Sequence, residues 1–430
     1  MQLAPWAVQA IGVVARSRFV RNVATTLAVQ GASLVFSLVN AALVARLLGL
    51  EGKGVFTMAL MVPGVLAMLL NGGVGIANVH LVGSGQLSLP QASRASVSFL
   101  VLASVAGAII SGALAVSGWL RAVVPGMPTG VQLVAMALLP LIILDGYLSA
   151  LFLGLQRISA LNVVTAVGGG CNVLAVALFV GVWRWGLVGA VGAPLMGALV
   201  SVALKCALLG RMGASFRPSR DLMAMRRMLG FGVKGQIGNL LQFFNYRLDT
   251  FILNYFRGPS AVGIYSSAVA MAELLWQFPN AVSLVITAKA AATQPTVLNA
   301  FAPRVLKGTL ALSFAGGVVL ALGGRTFIEW VYSSAFAAAY APLLGLLPGV
   351  VLLGGAKVLA NELAGRGYPH YNSAVSAMAL VVTLLLDVLL IPRWGAMGAA
   401  AASSVAYASS FFLSMTLHRT VVRKSTSAVP

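Results

Sequence analysis

RWGLVGA, residues 184–190, and RWGAMGA, residues 393–399, stand 209 positions apart in this chain of 430 residues. The same shift carries Gly49 onto Gly258, Gly54 onto Gly263, Asn71 onto Asn280 and Arg157 onto Arg366. One fixed offset, close to half the length and without an evident gap, reads as an internal duplication. Outward from these landmarks the chain is strongly apolar. A duplicated apolar chain points to a two-lobed transporter with its site between the lobes.

Composition sets the class. The chain is 60% hydrophobic and 8% charged, with a mean hydropathy of +0.96; soluble domains carry roughly 25% charged residues. Apolar stretches of about 20 residues recur, the length a bilayer-spanning helix needs. About twelve are expected: 22–45, 55–79, 95–118, 131–155, 159–183, 186–210, 229–255, 262–287, 306–328, 340–364, 371–392 and 395–417. Barrel strands would be shorter and would alternate apolar with polar residues. The expected fold is therefore an all-α integral membrane protein, two pseudo-symmetric six-helix bundles around a central cavity. The N-terminal lobe covers 1–210, a linker 211–227, and the C-terminal lobe 228–430.

The net charge of +20 does not imply nucleic acid, because the bases sit at span ends rather than on a soluble patch. With the N-terminus inside, 17 of the 28 Lys and Arg fall on the inner side and 7 on the outer; Lys205, Lys234, Arg247 and Lys357 lie within spans. That bias gives an N-in, C-in topology. The one long polar connection, Arg211 to Arg227, holds five arginines against Asp221, a basic inner linker suited to anionic lipid headgroups. Residues 1–20 have their arginines after the apolar part, not before it as in a signal peptide. They read as a short helix on the inner membrane surface.

Soluble-enzyme motifs are absent. The three histidines are scattered, and Cys171 and Cys206 both fall inside spans, where neither a disulfide nor a metal site is expected. Gly168-Gly169-Gly170 sits in an apolar span and reads as close helix packing.

The chemistry must lie in charges inside spans, which cost several kcal/mol each and need a reason. Span seven, LGFGVKGQIGNLLQFFNYRLDTFILNYF (229–256), is the richest. At 100° per residue, Lys234, Gly238, Gln242, Asn245 and Asp249 share an arc of about 80°, while Arg247 falls opposite. Arg247 is therefore expected to snorkel or to pair with a neighbouring helix. In the duplicate, span one, Gln30, Ser33, Ser37 and Asn40 share a similar arc. Span eight carries Glu273, Gln277 and Asn280; span ten carries Lys357 and Asn361. A carboxylate at the depth of Glu273 needs a partner, a proton or water; Lys234 and Lys357 across the lumen are candidate partners that the spacing does not fix. Glu362 and Arg366, four apart, read as a helix-end pair. Asp387 is placed near the outer interface and Lys205 is expected to snorkel. Asp145 divides evenly between packing and lumen.

LVARLLGLEGKGVFTMALMV (43–62) resembles the first-loop signature of polysaccharide-exporting flippases. NYRLDTFILNYFRGPSAVGIYSSAVAMAELL (245–275) is similar to the most recognisable segment of that family. The resemblance covers nearly the whole chain. It implies the multidrug/oligosaccharidyl-lipid/polysaccharide exporter superfamily, with two six-helix bundles and alternating access. The polysaccharide branch moves undecaprenyl-diphosphate-linked oligosaccharide across the bacterial cytoplasmic membrane. On that reading Lys234, Gln242, Asn245, Lys357 and Asn40 are candidate substrate contacts, bases for the diphosphate and amides for sugar hydroxyls. Asp249, Glu273 and Asp145 are candidate coupling or lumen acids. No cofactor or resident metal is expected, and sodium or proton coupling stays open. Expected partners are the lipid-linked substrate, membrane lipids and other polysaccharide-assembly proteins, with the chain itself a monomer. The lipid II flippase usually has two further spans, and many multidrug exporters carry an acid in the first helix that is missing here. Both remain alternatives.

Overall fold

The computed structural model describes residues 5–118, 124, 127–292 and 295–427. The regular elements among them are all helical. The first half holds α1 (Pro5–Leu70), α2 (Val74–Gly83), α3 (Leu89–Val116), α4 (Thr129–Gly154), α5 (Ile158–Val176) and α6 (Gly186–Arg211). The second holds α7 (Leu222–Glu273), α8 (Gln277–Ala292), α9 (Pro295–Val331), α10 (Tyr340–Gly365), α11 (His370–Trp394) and α12 (Ala396–Ser427).

Two helices are too long for one crossing. The apolar part of α1, Gly31–Leu70, has 40 residues, about 60 Å at 1.5 Å per residue, against a hydrocarbon core of about 30 Å. The chain solves this with glycine. Gly49 (φ 70, ψ −170) divides α1, and Gly258 (φ 76, ψ −179) divides α7. These are equivalent residues of the repeat in the same backbone state, one that a side chain would strain. α2 and α8 then complete the second crossing of each half. Among the described residues ten helical segments are long and apolar enough to cross a membrane, and the two divided ones are long enough to cross twice. The protein is a multi-pass, all-helical integral membrane protein.

The duplicated RWG runs mark a second shared turn. Gly186 (φ 56) opens α6 and Gly395 (φ 57) precedes α12, both left-handed. Three residues on, Gly189 and Gly398 let adjacent helices approach. A Cβ at Gly189 would stand 3.0 Å from Phe179 Cβ, and one at Gly398 2.5 Å from the Leu390 carbonyl oxygen.

One difference lies at the N-terminus. Residues 5–20 are not set off as a separate helix; α1 runs from Pro5 with its only non-helical residue at Gly49. No Gly or Pro stands between Val13 and Gln30 to break it. Side chains of residues 1–28 and of Gln30 lie outside the described residues.

The chain forms two compact units. The first gathers the chain up to Leu47 with Leu60–Ala113 and Pro128–Gly235; the second gathers Leu48–Ala59 and Leu114–Met127 with the chain from Gln236 onward. In the first, α4 packs against α2 and α6, and α5 against α6. Asn78, 1% exposed, ties α2 to α3 by donating to Ser96 Oγ at 2.9 Å, while Tyr147 OH donates to the Asn71 carbonyl at 2.9 Å. Gly168 packs on Ser201 and Gly197, and Gly169 and Gly170 on Phe36, so the triple glycine serves close packing. In the second unit α10 is central, covered by α8, α9 and α12.

Within that second unit the two copies of the repeat touch reciprocally. Gly54 lies against the Pro259 carbonyl and Gly263 against the Leu50 carbonyl, both closer than a Cβ would permit. Gly54 and Gly263 are repeat mates, and so are Leu50 and Pro259. Thr57 Oγ1 donates to its own mate, Ser266 Oγ, at 3.5 Å. A contact in which each residue meets its own equivalent, or its mate's partner, is the signature of a local two-fold axis.

Candidate functional site

The span-seven stripe divides. Lys234 and Gln242 are exposed, with Gly238 half-buried between them, whereas Asn245 and Asp249 are buried at 4% and 2% exposure. Helical periodicity put them on one face; packing of α11 and α12 over the C-terminal part of that face gives it two environments. Asn245 Oδ1 accepts a hydrogen bond from Thr383 Oγ1 at 2.8 Å. Asp249 accepts from Ser403 Oγ at 3.1 Å, from Thr250 N at 2.6 Å and Thr250 Oγ1 at 3.1 Å, and closely from Tyr265 OH.

Asp387 does not reach the interface. It is 0% exposed, and neither carboxyl oxygen has a hydrogen-bond partner among the described residues. It stands one turn from Thr383 on α11 and within electrostatic reach of Asp249. Two i, i+4 pairs therefore face each other, Asn245/Asp249 on α7 and Thr383/Asp387 on α11. Two carboxylates in a dry interior demand a cation, either a shared proton or a metal ion with oxygen ligands. Asp387 was missed as a site residue because its place in the sequence, near a span end, matches that of an interfacial acid.

Arg247, opposite the stripe, pairs with span eight: its Nη2 lies 3.2 Å from Glu273 Oε1. The pair is ionic without hydrogen-bond alignment, since Oε1 has no hydrogen-bond partner among the described residues. Both side chains are partly exposed, at 38% and 28%. Lys357 on α10 donates to Asn280 Oδ1 at 2.9 Å and stands 4.2 Å from the Trp276 ring centroid and 5.9 Å from that of Tyr246. Glu273 is within electrostatic reach of Lys357 too. Gln242 donates to Tyr246 OH at 3.1 Å, which joins the exposed part of the stripe to this group. Two bases, one acid, two amides and two aromatic rings thus converge in a partly exposed cluster with a net positive charge. Tyr246 and Trp276 carried no signal in the sequence, because isolated aromatics in apolar spans read as packing.

The remaining candidates fall elsewhere. In the first unit Lys205, 1% exposed, does not snorkel; its Nζ donates to Asp145 Oδ1 at 2.6 Å and Ser149 Oγ at 2.8 Å. Ser201 Oγ also donates to Asp145, at 2.8 Å. Lys205 lacks an exit because α4 covers it, so a short pair with Asp145 replaces the route to water. Asn40 is half-buried, its Oδ1 without a partner among the described residues. Glu362 accepts from Arg366 Nη2 at 2.6 Å, the expected pair, and His418 Nε2 lies 3.1 Å from its other oxygen. Cys171 and Cys206 are free.

The model of a family described as polysaccharide biosynthesis protein matches residues 19–287, more than half of the chain. The chain belongs to the polysaccharide biosynthesis protein family. No curated protein matches it in sequence. Among solved structures, the lipid II flippase MurJ in an inward closed conformation superposes with a TM-score of 0.76 at 14% identity, over 92% of this chain and 87% of that one. A multidrug resistance MATE family transporter of the MOP superfamily, inward-facing, gives 0.73 at 16% identity, over 93% and 96%. A MOP superfamily transporter from Pyrococcus furiosus gives 0.65 at 15% identity, over 95% and 96%. These likenesses establish the fold as one that this chain shares with those three proteins. The family match thus gives the chain its family, polysaccharide biosynthesis, and the likenesses give it a fold that membrane transporters share.

Proposed function

We propose that the protein is a flippase. It moves an undecaprenyl-diphosphate-linked oligosaccharide across the bacterial cytoplasmic membrane by alternating access, with both termini inside. The observation that carries this reading is the Arg247–Glu273–Lys357 cluster with its amides and rings. Its excess positive charge suits a diphosphate, Lys357 as a point charge and Arg247 as a planar fork. Gln242 and Asn280 suit sugar hydroxyls. Lys234 and Gln242 extend the exposed polar face along α7, and Asn40, the repeat mate of Asp249, offers an amide from the first repeat. Asn245 joins the second group instead: with Asp249, Thr383 and Asp387 it offers oxygens to a coupling cation, sodium or a proton. Asp145 is neutralised by Lys205 and serves the first unit's packing.

The test is surface glycan in a strain lacking its own flippase, at matched expression. Lys357→Ala removes a charge-assisted contact of roughly 1.5–3 kcal/mol and is expected to lower export about ten-fold or more. Arg247→Ala should act likewise. Unchanged export in the double variant would sink the cationic site. Resistance to cationic drugs with no glycan restored would favour the multidrug reading; rescue of peptidoglycan synthesis instead would favour lipid II.

A further inference from the structure

Lys53 sits on α1 four residues beyond Gly49, at the joint between the first two crossings, where a lysine would be expected to stay in water. It is 5% exposed instead. Its Nζ donates to Ser267 Oγ at 2.8 Å and stands 3.9 Å from the Tyr332 ring centroid and 5.4 Å from that of Phe336. Ser267 passes its own proton to the Gly263 carbonyl at 2.7 Å, which leaves its lone pairs for the lysine. No carboxylate lies within salt-bridge distance of Lys53 among the described residues.

A desolvated ammonium held by one hydroxyl and two ring faces is costly for a merely structural contact. Such an arrangement holds only while all its parts are together, because water solvates the lysine well once it leaves. The contacts around it have the same character. Gly54 on Pro259, Gly263 on Leu50 and Thr57 on Ser266 are close approaches of backbone and small side chains.

We propose that Lys53 is a positioning residue of the transport cycle. It latches the outer ends of the first two crossings into a cage of Ser267, Tyr332 and Phe336, and it leaves that cage when the outer side opens. The proposal rests on the alternating-access reading but not on which substrate is carried.

The test uses the full chain with Cys171 and Cys206 replaced and the pair Thr57→Cys/Ser266→Cys introduced, two positions whose side-chain oxygens stand 3.5 Å apart. In purified, reconstituted protein the pair should cross-link readily, and dithiothreitol should reverse it. Lys53→Ala should slow cross-linking about ten-fold, the effect of losing a desolvated cation–π contact, and Lys53→Arg should retain part of it. Tyr332→Leu should behave like Lys53→Ala. Tyr332→Phe should match the unsubstituted protein, since the hydroxyl has no hydrogen-bond partner among the described residues; this separates the latch from general misfolding. In cells the oxidised pair should stop export and reductant should restore it. Cross-linking indifferent to Lys53→Ala and Tyr332→Leu, or export undiminished in the locked form, overturns the latch. Cross-linking that responds as expected in a chain that exports no glycan upholds the latch and rejects the proposed substrate.

Discussion

At the scale of single residues, the charges illustrate what one sequence can disclose. Glu362 and Arg366 were legible as a pair because the helix itself brings i and i+4 together. Lys205 and Asp145 were not, because 60 positions separate them and only the packing of α6 on α4 joins them. Their burial is unequal, 1% for Lys205 and 32% for Asp145, and that inequality sets a prediction. Asp145→Leu strands a fully buried ammonium and should cost about 3–5 kcal/mol. Lys205→Met leaves a carboxylate that is already partly exposed and that Ser201 still bonds, so it should cost much less. The double replacement should recover most of the loss. Thermal unfolding of the purified protein in one detergent checks the order; equal losses in the two single variants would contradict the burial argument.

At the scale of elements, the spans and their breaks were legible. The apolar lengths locate the crossings, and the two glycines that divide α1 and α7 are repeat mates. The faces of the helices were less so. Periodicity grouped Lys234, Gln242, Asn245 and Asp249 on one face, but it has no knowledge of α11 and α12, which bury the last two. It likewise set Arg247 apart from a lining role, and Glu273 on span eight draws that side chain into the cationic cluster. Glycine offers a pair of element-scale predictions of opposite sign. Gly54→Ala places a methyl group into the Pro259 carbonyl, and Gly263→Ala into that of Leu50. Each should destabilise by roughly 1–3 kcal/mol, as overpacking does. Gly64, on the same long helix as Gly54, has nothing within 4 Å of a built Cβ. Gly64→Ala should stabilise, by at most about 1 kcal/mol from helix propensity. Melting temperatures of the three variants decide it, and a loss at position 64 equal to that at 54 would remove the close contact as the cause.

At the scale of the whole molecule, the duplication was legible from two seven-residue runs, but the exchange of segments between the resulting units was not. A repeat boundary in the 211–227 linker would give each unit one copy. Instead Leu48–Ala59 of the first copy belongs to the second unit, and the second copy contributes its chain up to Gly235 to the first. Gly232 lies in backbone contact with Gly73, and Phe231 stacks on His80 with centroids 4.2 Å apart. The linker is also fastened, with Ser215 N and Ser219 N donating to Ser93 Oγ and Ser98 Oγ at 3.0 and 2.7 Å. Severing the chain after Gly213 would therefore leave each half lacking a segment that its packing requires, and holding one that has lost its partner. Two consequences follow for a split gene. Either half expressed alone should be degraded or aggregated, because an apolar face and close-packed glycines are left uncovered. Halves expressed together should copurify through a tag on one of them and should restore glycan export in part. Lengthening the linker with Gly-Ser in the intact chain should be tolerated, since loop length costs little free energy. Accumulation of a monodisperse, well-folded half on its own would show that the exchanged segments are dispensable, and that the duplication still behaves as two independent domains.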